Sequence, residues 1–460
     1  MSMSTDVPVP DGPSKEDLAA GRRAYELDRQ HVFHSWSAQD LIRPMTITKA
    51  EGSLVWDADG RRLLDFSSQL VFTNIGHQHP TVVAAIQQQA GKLCTVAPQH
   101  VNDARSEAAR LISELTPSGM DKVFFTNGGT EAVEHAIRMA RLHTGRYKVL
   151  SAHRSYHGGT HLSVNLTGDP RRIANDYGDA GVVRFFPPYL YRSYFHSTTP
   201  EEETRRALEH LEQVILLEGA TKFAAIILES IPGTAGIMIP PPGYLKGVRE
   251  LATKYGILFV ADEVMAGFGR TGAWFAFNHF DVVPDLITFA KGVTSGYVPL
   301  GGVAISDEVA ATFGTRVYPG GLTYSGHPLA TAAAVATIRV MREESMVENA
   351  AALGREVFGP GLTELAARHP SVGEVRGLGA FWAVELVKDR NTREPLAAYG
   401  SSSPAMDEVV GACKSRGLLP FANFNRIHLA PPLNLSFEDA RAGLAILDDA
   451  LTVADRHVEA

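Results

Sequence analysis

The sequence predicts an α/β protein: a mostly parallel sheet covered on both faces by helices, with a smaller second domain. Three observations predict it. Between residues 122 and 292 the short apolar runs "KVFFTN", "KVLSAH", "FAAIILES", "ILFVADE" and "DLITFAKG" alternate with stretches of helical periodicity, the pattern of strands joined by covering helices. After Pro328 the alternation gives way to an Ala-rich helix and a part with its own strand. At 460 residues and 45% hydrophobic content, the chain is long enough for one large domain and a smaller one.

Taken in order, "MSMSTDVPVPDGPSKEDLAAG" carries acids and prolines and no apolar core. It resembles neither a secretory signal nor an Arg-rich transit peptide, so a frayed polar tail is expected. "SLVWDADGRRLLDF", Ser53 to Phe66, reads as two short strands about an Asp-Gly turn. Helical spacing begins past Pro80 and leads into the strand–helix alternation. "LATAAAVATIRVMREE" is a helix, "GAFWAVELV" a strand, and helices follow near residues 404–416 and 436–456. The expected division is 1–75 for an N-terminal segment and part of the small domain, 76–330 for the large domain, and 331–460 for the rest of the small domain.

The 43 Lys and Arg against 51 Asp and Glu give a net charge of −8, with no block of like charge. Nucleic acid and anionic membrane surfaces are therefore not expected partners, and small molecules are. Cys94 and Cys413 are the only cysteines, no CxxC occurs, and no apolar run approaches a bilayer span. A reduced cytoplasm is the expected setting.

In open parallel sheets ligands bind beyond the carboxyl ends of the strands, and those positions are polar here. "KVFFTN" runs into Gly128-Gly129-Thr130-Glu131 and a helix, whose first N–H groups, dipole and threonine hydroxyl suit a phosphate. A capped helix after a tight turn explains the same residues. Asp262 and Glu263 end one strand, Glu229 another, and Lys291 a third. Each is open to a structural ion pair, but acids on two strand ends, a lysine on a third and an anion cradle along one sheet edge point to a site. A partly desolvated lysine is a nucleophile toward an aldehyde. An aldehyde cofactor carrying a phosphate, pyridoxal 5′-phosphate (PLP), fits both ends, with Asp262 against its ring nitrogen.

These residues resemble the class III aminotransferases of PLP fold type I. The resemblance runs in family order through "FFTNGGTEAVEHAIRMAR", "YHGGT", "ADEVMAGFGRTG", "LITFAKGVTSGYVPLGG", "LTYSGHPLA", "RGLGAFWAVEL" and "APPL". It implies a large domain with a mostly parallel seven-stranded sheet and a small α+β domain from both chain ends. It implies that Lys291 tethers PLP, that Asp262 pairs with the ring nitrogen, and that Val264 and Tyr156 cover the two ring faces, with His157 beside the tyrosine. Gly128, Gly129 and Thr130 are implied for the phosphate. Thr323 is implied as a phosphate ligand from the neighbouring subunit, hence a homodimer with shared sites, or a tetramer built from it. Glu229 matches an acid near the cofactor that holds a substrate-binding arginine in some members.

Two other patterns lead elsewhere. Gly267, Gly269 and Gly272 satisfy GxGxxG, but "AWFAFNHF" follows where a helix is required, and the acids precede the glycines. His153, His157 and His161 recur every fourth residue, but Gly158 and Gly159 interrupt any helix between them. No metal is expected from the 17 histidines.

The resemblance implies transfer of an amino group from an ω-amino acid or primary amine, such as taurine or β-alanine, to pyruvate by a ping-pong mechanism. Alternatives are a 2-oxoglutarate-dependent relative of the 4-aminobutyrate or ornithine type, and an aminomutase or decarboxylase of the same fold. Many members carry an arginine nine residues before "APPL", where this chain has Phe421, with Arg426 further on. Arg426 is therefore a candidate for substrate acids, and Arg376 a second, each with a structural explanation open. Trp36, Val71 and Phe72 are expected to line the substrate pocket.

Overall fold

The computed structural model describes residues 10–175 and 178–459. Its centre is a seven-stranded sheet in the order Lys122–Thr126, Gly301–Ile305, Leu286–Phe289, Leu258–Asp262, Phe223–Glu229, Lys148–Ala152, Val182–Phe185. Gly301–Ile305 runs antiparallel to both neighbours, and the pairs from Leu286–Phe289 through to Val182–Phe185 are parallel.

Both faces of this sheet are buried, and period two along each strand decides which side chain meets which layer. Ile226, Leu228, Phe259, Ala261, Ile287 and Phe289 pack in one core with helices such as Tyr244–Tyr255 and Pro328–Glu343. Their neighbours Ala225, Ile227, Val260 and Leu286 pack in another, against the helix Gly129–Thr144. That alternation places Glu229, Asp262 and Thr288 on the side of the Gly129–Thr144 helix. They form one row across three strands, Glu229 opposite Asp262 and Asp262 opposite Thr288.

The two ends of the chain build the remaining sheets. Leu54–Asp57 and Arg62–Asp65 form the expected hairpin, Ile47–Glu51 adds an unexpected antiparallel strand beside Leu54–Asp57, and Leu418–Leu419 joins in parallel beside Arg62–Asp65. Leu64 and Phe66 accordingly share a core with Leu386, Ile427 and Leu447. An antiparallel sheet of Val372–Leu378, Phe381–Asp389, Arg426–Leu429 and Phe421–Asn423 carries the predicted C-terminal strand. The predicted helices are Pro404–Ser415 and Phe437–Asp455.

The expected junction at 330/331 falls inside the helix Pro328–Glu343, whose Ala330, Ala334, Ile338 and Met341 all join the core of the large sheet. We propose a division that keeps this helix with that sheet. The polar tail also differs from expectation. Residues 1–9 lie outside the described residues, but Lys15–His31 is a helix, opened by a reciprocal capping box between Ser14 and Asp17. Its nearly unbroken exposure left no apolar periodicity by which to find it. Among the described residues no helix is long and apolar enough to cross a membrane.

Candidate active site

At the carboxyl edge of the large sheet lies a cavity of about 480 Å³, lined by Gly128, Gly129, Thr130, Tyr156, His157, Glu229, Asp262, Val264 and Lys291, with Trp36 and Phe72 among its other walls. The volume suits a small cofactor with a substrate. The strand-end rule places Gly128–Thr130, Glu229, Asp262 and Lys291 at separate strand ends, the resemblance adds Tyr156, His157, Val264, Trp36 and Phe72, and the fold brings them together.

Asp262 is buried and held from three directions. Its Oδ1 accepts from Thr288 Oγ1 at 3.0 Å and from the Val264 N–H at 3.2 Å, while Oδ2 shares a 2.6 Å hydrogen bond with His157 Nδ1. Glu263, next in sequence, points to the opposite face. It accepts from the Ala276 and Phe277 N–H groups and from Ser230, and burial raises its carboxyl to about 7. The pleat assigns one acid to the cavity and the other to bracing the following turn.

Lys291 follows the strand Leu286–Phe289 with φ +46°, a left-handed conformation that costs a non-glycine residue energy and is retained where the surroundings impose it. Burial draws its amine below the ordinary lysine value. Asp262 and Glu229 oppose that shift, and Arg171 adds to it. The amine is thereby poised as a nucleophile. Gly292, next in sequence, is closely packed: a Cβ there would lie 2.5 Å from Asn74 Nδ2.

The helix Gly129–Thr144 opens without a side-chain cap, so its first N–H groups are available to an anion. The Thr130 hydroxyl is engaged elsewhere. It shares a 2.7 Å hydrogen bond with Ser163 Oγ and accepts from the Gly159 N–H at 3.1 Å, fixing the loop that carries Tyr156 and His157. Gly129 allows close packing: a Cβ there would come within 2.7 Å of Val264 Cγ1. Glu229 accepts from the Tyr156 and Gly233 N–H groups, both at 2.9 Å, and burial raises its carboxyl. It holds backbone, and among the described residues it pairs with no arginine. Arg171 stacks on Tyr156, its guanidinium carbon 3.7 Å from the ring centre.

Several expected residues lie outside the cavity. Val71 is buried among Ile231, Ile237 and Ala266, so it is core and not a pocket wall. Trp36 does line the cavity, although 69% exposed. Thr323 is exposed and does not reach this chain's own cavity. Arg426, buried, and Arg376, nearly so, lie behind the Gly233–Gly236 turn and line none of the cavity. Thr288, Arg171 and Thr234 escaped sequence reasoning. Alternation with Leu286 offered a signal for Thr288, and none marked Arg171. His153 stacks on Phe186 and His161 opens a short helix, so the histidine series does not converge. Among the described residues no cluster of His, Cys, Asp or Glu is arranged to hold a metal ion.

The family profile described as aminotransferase class-III matches residues 36–451. The chain belongs to the class III aminotransferases. It is 38% identical over 400 residues to the putrescine–pyruvate aminotransferase of Pseudomonas aeruginosa, covering 84% of this chain and 86% of that protein. It is 34% identical to the taurine–pyruvate aminotransferase of Bilophila wadsworthia, covering 94% and 97%. The solved structure of a taurine:2-oxoglutarate aminotransferase from Bifidobacterium kashiwanohense, in complex with PLP and glutamate, superposes with a TM-score of 0.92 at 40% identity, covering 95% and 98%. As a class III aminotransferase of fold type I the chain is a PLP enzyme. The cavity fits that cofactor, with a lysine amine and a buried carboxylate on its walls and an uncapped helix start for a phosphate.

Proposed function

We propose that this aminotransferase moves an amino group from an ω-amino acid or primary amine, such as taurine or β-alanine, to pyruvate in two successive half-reactions. The observation that carries the reading is the single cavity in which Lys291 and the triply held Asp262 meet. The pyruvate-dependent relatives support the acceptor.

In this reading Lys291 Nζ tethers the cofactor aldehyde, and Asp262 holds the ring nitrogen. Tyr156 and Val264 cover the ring, and Gly128, Gly129 and Thr130 hold the phosphate through backbone N–H groups. Bound PLP supplies an electron sink for charge developing on the substrate carbon. With the cofactor bound, Lys291 Nζ would act as the base that takes the proton from that carbon and as the acid that returns it to the carbon on the cofactor side of the shared nitrogen, a 1,3-transfer. His157 keeps the Asp262 carboxylate aimed. Trp36 and Phe72 restrict water and shape the substrate end. Thr323, exposed and outside its own cavity, serves the neighbouring subunit's phosphate in a homodimer. Phe33, Val101 and Val317, each 85% exposed, are apolar surface available to such an interface.

A second reading takes 2-oxoglutarate as acceptor, favoured by the 40%-identical Bifidobacterium structure and its glutamate. A donor panel run against pyruvate and 2-oxoglutarate separates the two. Turnover of taurine, β-alanine or a primary amine that depends on pyruvate is expected. Activity only on an α-amino acid with 2-oxoglutarate would sink the proposal. Lys291→Ala should abolish both turnover and the borohydride-reducible lysine–cofactor bond.

A further inference from the structure

The backbone around Tyr156 is fixed from two sides. Its own N–H donates to Glu229 Oε1 at 2.9 Å. The Ser155 carbonyl accepts from the Gly168 and Asp169 N–H groups at 2.9 and 3.1 Å, and the Arg154 N–H donates to the Gly168 carbonyl at 3.0 Å. Residues 154–155 and 168–169 thus run side by side, and Gly168 permits the approach, since a Cβ there would lie 2.2 Å from the Ala152 carbonyl oxygen. The ring has no such anchor. Its hydroxyl makes no hydrogen bond among the described residues, and it joins none of the apolar cores.

What meets the ring is a cation. Pro170–Arg172 is one turn of 3-10 helix opened by Asp169, whose Oδ1 accepts from the Arg171 backbone N–H at 2.9 Å and from Nε at 3.1 Å. Its Oδ2 accepts from Nε at 2.9 Å and from Nη2. Gripped in this way, the Arg171 guanidinium carbon stands 3.7 Å from the Tyr156 ring centre. Tyr156 lines the cavity and Arg171 does not, so the guanidinium backs the ring on the side away from it. Pairing with Asp169 explains a fixed charge but not its place over the ring, since a side chain 32% exposed has water open to it. The ring's quadrupole supplies the reason, and a guanidinium plane stacks where an ammonium cannot.

We propose that Arg171 is a positioning residue for the reaction: it sets the plane that Tyr156 presents to the cofactor ring. This rests on the reading above that Tyr156 covers that ring. Backed by the guanidinium, the tyrosine cannot tilt about its side-chain bonds without losing the cation, so its face is set before the cofactor arrives and the cost of ordering it is not met on binding. The same charge reaches Lys291. Burial lowers that amine, Asp262 and Glu229 oppose the shift, and Arg171 adds to it; His157 stands behind Asp262, and Asp169 pairs with Arg171. One arginine outside the cavity thus acts on two of its walls, on Tyr156 through contact and on Lys291 through its field.

The test compares wild type with Arg171→Met, Arg171→Lys, Tyr156→Ala and the double variant Arg171→Met/Tyr156→Ala. PLP is titrated into each cofactor-free protein by fluorescence, and the circular dichroism of the bound cofactor reports its tilt. Arg171→Met is expected to weaken PLP binding by about two- to thirtyfold and to change the cofactor's dichroism. Tm of the cofactor-free protein should be unchanged, the side chain being partly in water. Arg171→Lys should fall between wild type and Arg171→Met. In the Tyr156→Ala background Arg171→Met should cost little further affinity, because the arginine has lost the ring through which it acts. The pH midpoint of the lysine–cofactor absorbance should rise in Arg171→Met and hold in Arg171→Lys, since removing a cation favours the protonated form. Unchanged affinity and dichroism in Arg171→Met, or an equal loss in the Tyr156→Ala background, would overturn the proposal. If Tyr156→Ala weakens PLP binding and Arg171→Met does not, the placement of Tyr156 stands and the inference alone fails. If Tyr156→Ala binds PLP as wild type does, both fail.

Discussion

His157 Nδ1 lies 2.6 Å from Asp262 Oδ2, while the other ring nitrogen, Nε2, is buried with no hydrogen-bond partner among the described residues. The imidazole therefore spends its one hydrogen bond on the carboxylate assigned to the cofactor ring. The bond spans 105 positions of sequence, linking the loop after one strand to the end of another. His157→Phe should keep the fold and weaken PLP binding by about tenfold to a hundredfold, the worth of one buried bond to a charged group, read by fluorescence titration of the cofactor. Asp262→Ala should cost activity far more, about 10²–10³-fold or beyond. Equal effects of the two substitutions would mean that the histidine does more than orient the acid.

Gly129 and Val264 form a packing pair at the phosphate end. Gly129→Ala places a methyl within 2.7 Å of Val264 Cγ1, and relief requires moving either the helix start or the valine. A loss of about 1–3 kcal/mol in stability is expected, with weaker PLP binding. The double variant Gly129→Ala/Val264→Ala should recover much of the loss. Additive losses in a thermal-melt double-mutant cycle would show that the strain lies elsewhere.

The lowered amine of Lys291 has a stability consequence in the cofactor-free protein. Burial disfavours the charged form, so the folded state binds its proton less tightly than the unfolded chain. The cost is fully present below the folded value and disappears as pH rises to the ordinary lysine value of about 10.4. Cofactor-free Lys291→Met should therefore melt above cofactor-free wild type at neutral pH, and the gap should close toward pH 10–11. A gap that widens with pH would reverse the sign of the shift.

Trp36 stands on the cavity rim at 69% exposure with φ +52°. Because so little of it is buried, Trp36→Ala should change Tm by no more than about 0.5 kcal/mol equivalent. It should shift KM among donors of different bulk, measured across an amine series. A large loss of stability would place the residue in a core or an interface instead.

Most of the cavity was legible because strand alternation and the end-of-strand rule act locally. The apolar runs before Glu229, Asp262 and Lys291 announced buried parallel strands, and a polar residue closing such a run has few places to go. Cofactor chemistry and resemblance both name Asp262, but residue type along the chain does not separate it from Glu263, since both end the same run. The pleat settles it physically: Asp262 shares the face of Val260 and Glu263 that of Ala261. Val71 misled because an apolar residue beside Phe72 suits a pocket wall and a core equally, and only packing against Ile231 and Ile237 separates them. Thr130 misled in a finer way, its hydroxyl holding the 159–163 loop while the helix backbone faces the anion end.

By itself the sequence determined the fold class, the cofactor chemistry and the strand ends that carry it, because periodicity and residue type are properties of neighbours along the chain. Only the tertiary structure decided that Glu229, Asp262 and Thr288 form one row, that His157 bonds Asp262, and that Arg426 is buried over the Phe424 ring with no hydrogen bond or ion pair among the described residues. Those relations depend on register between strands, and contacts between distant segments leave no trace in local sequence.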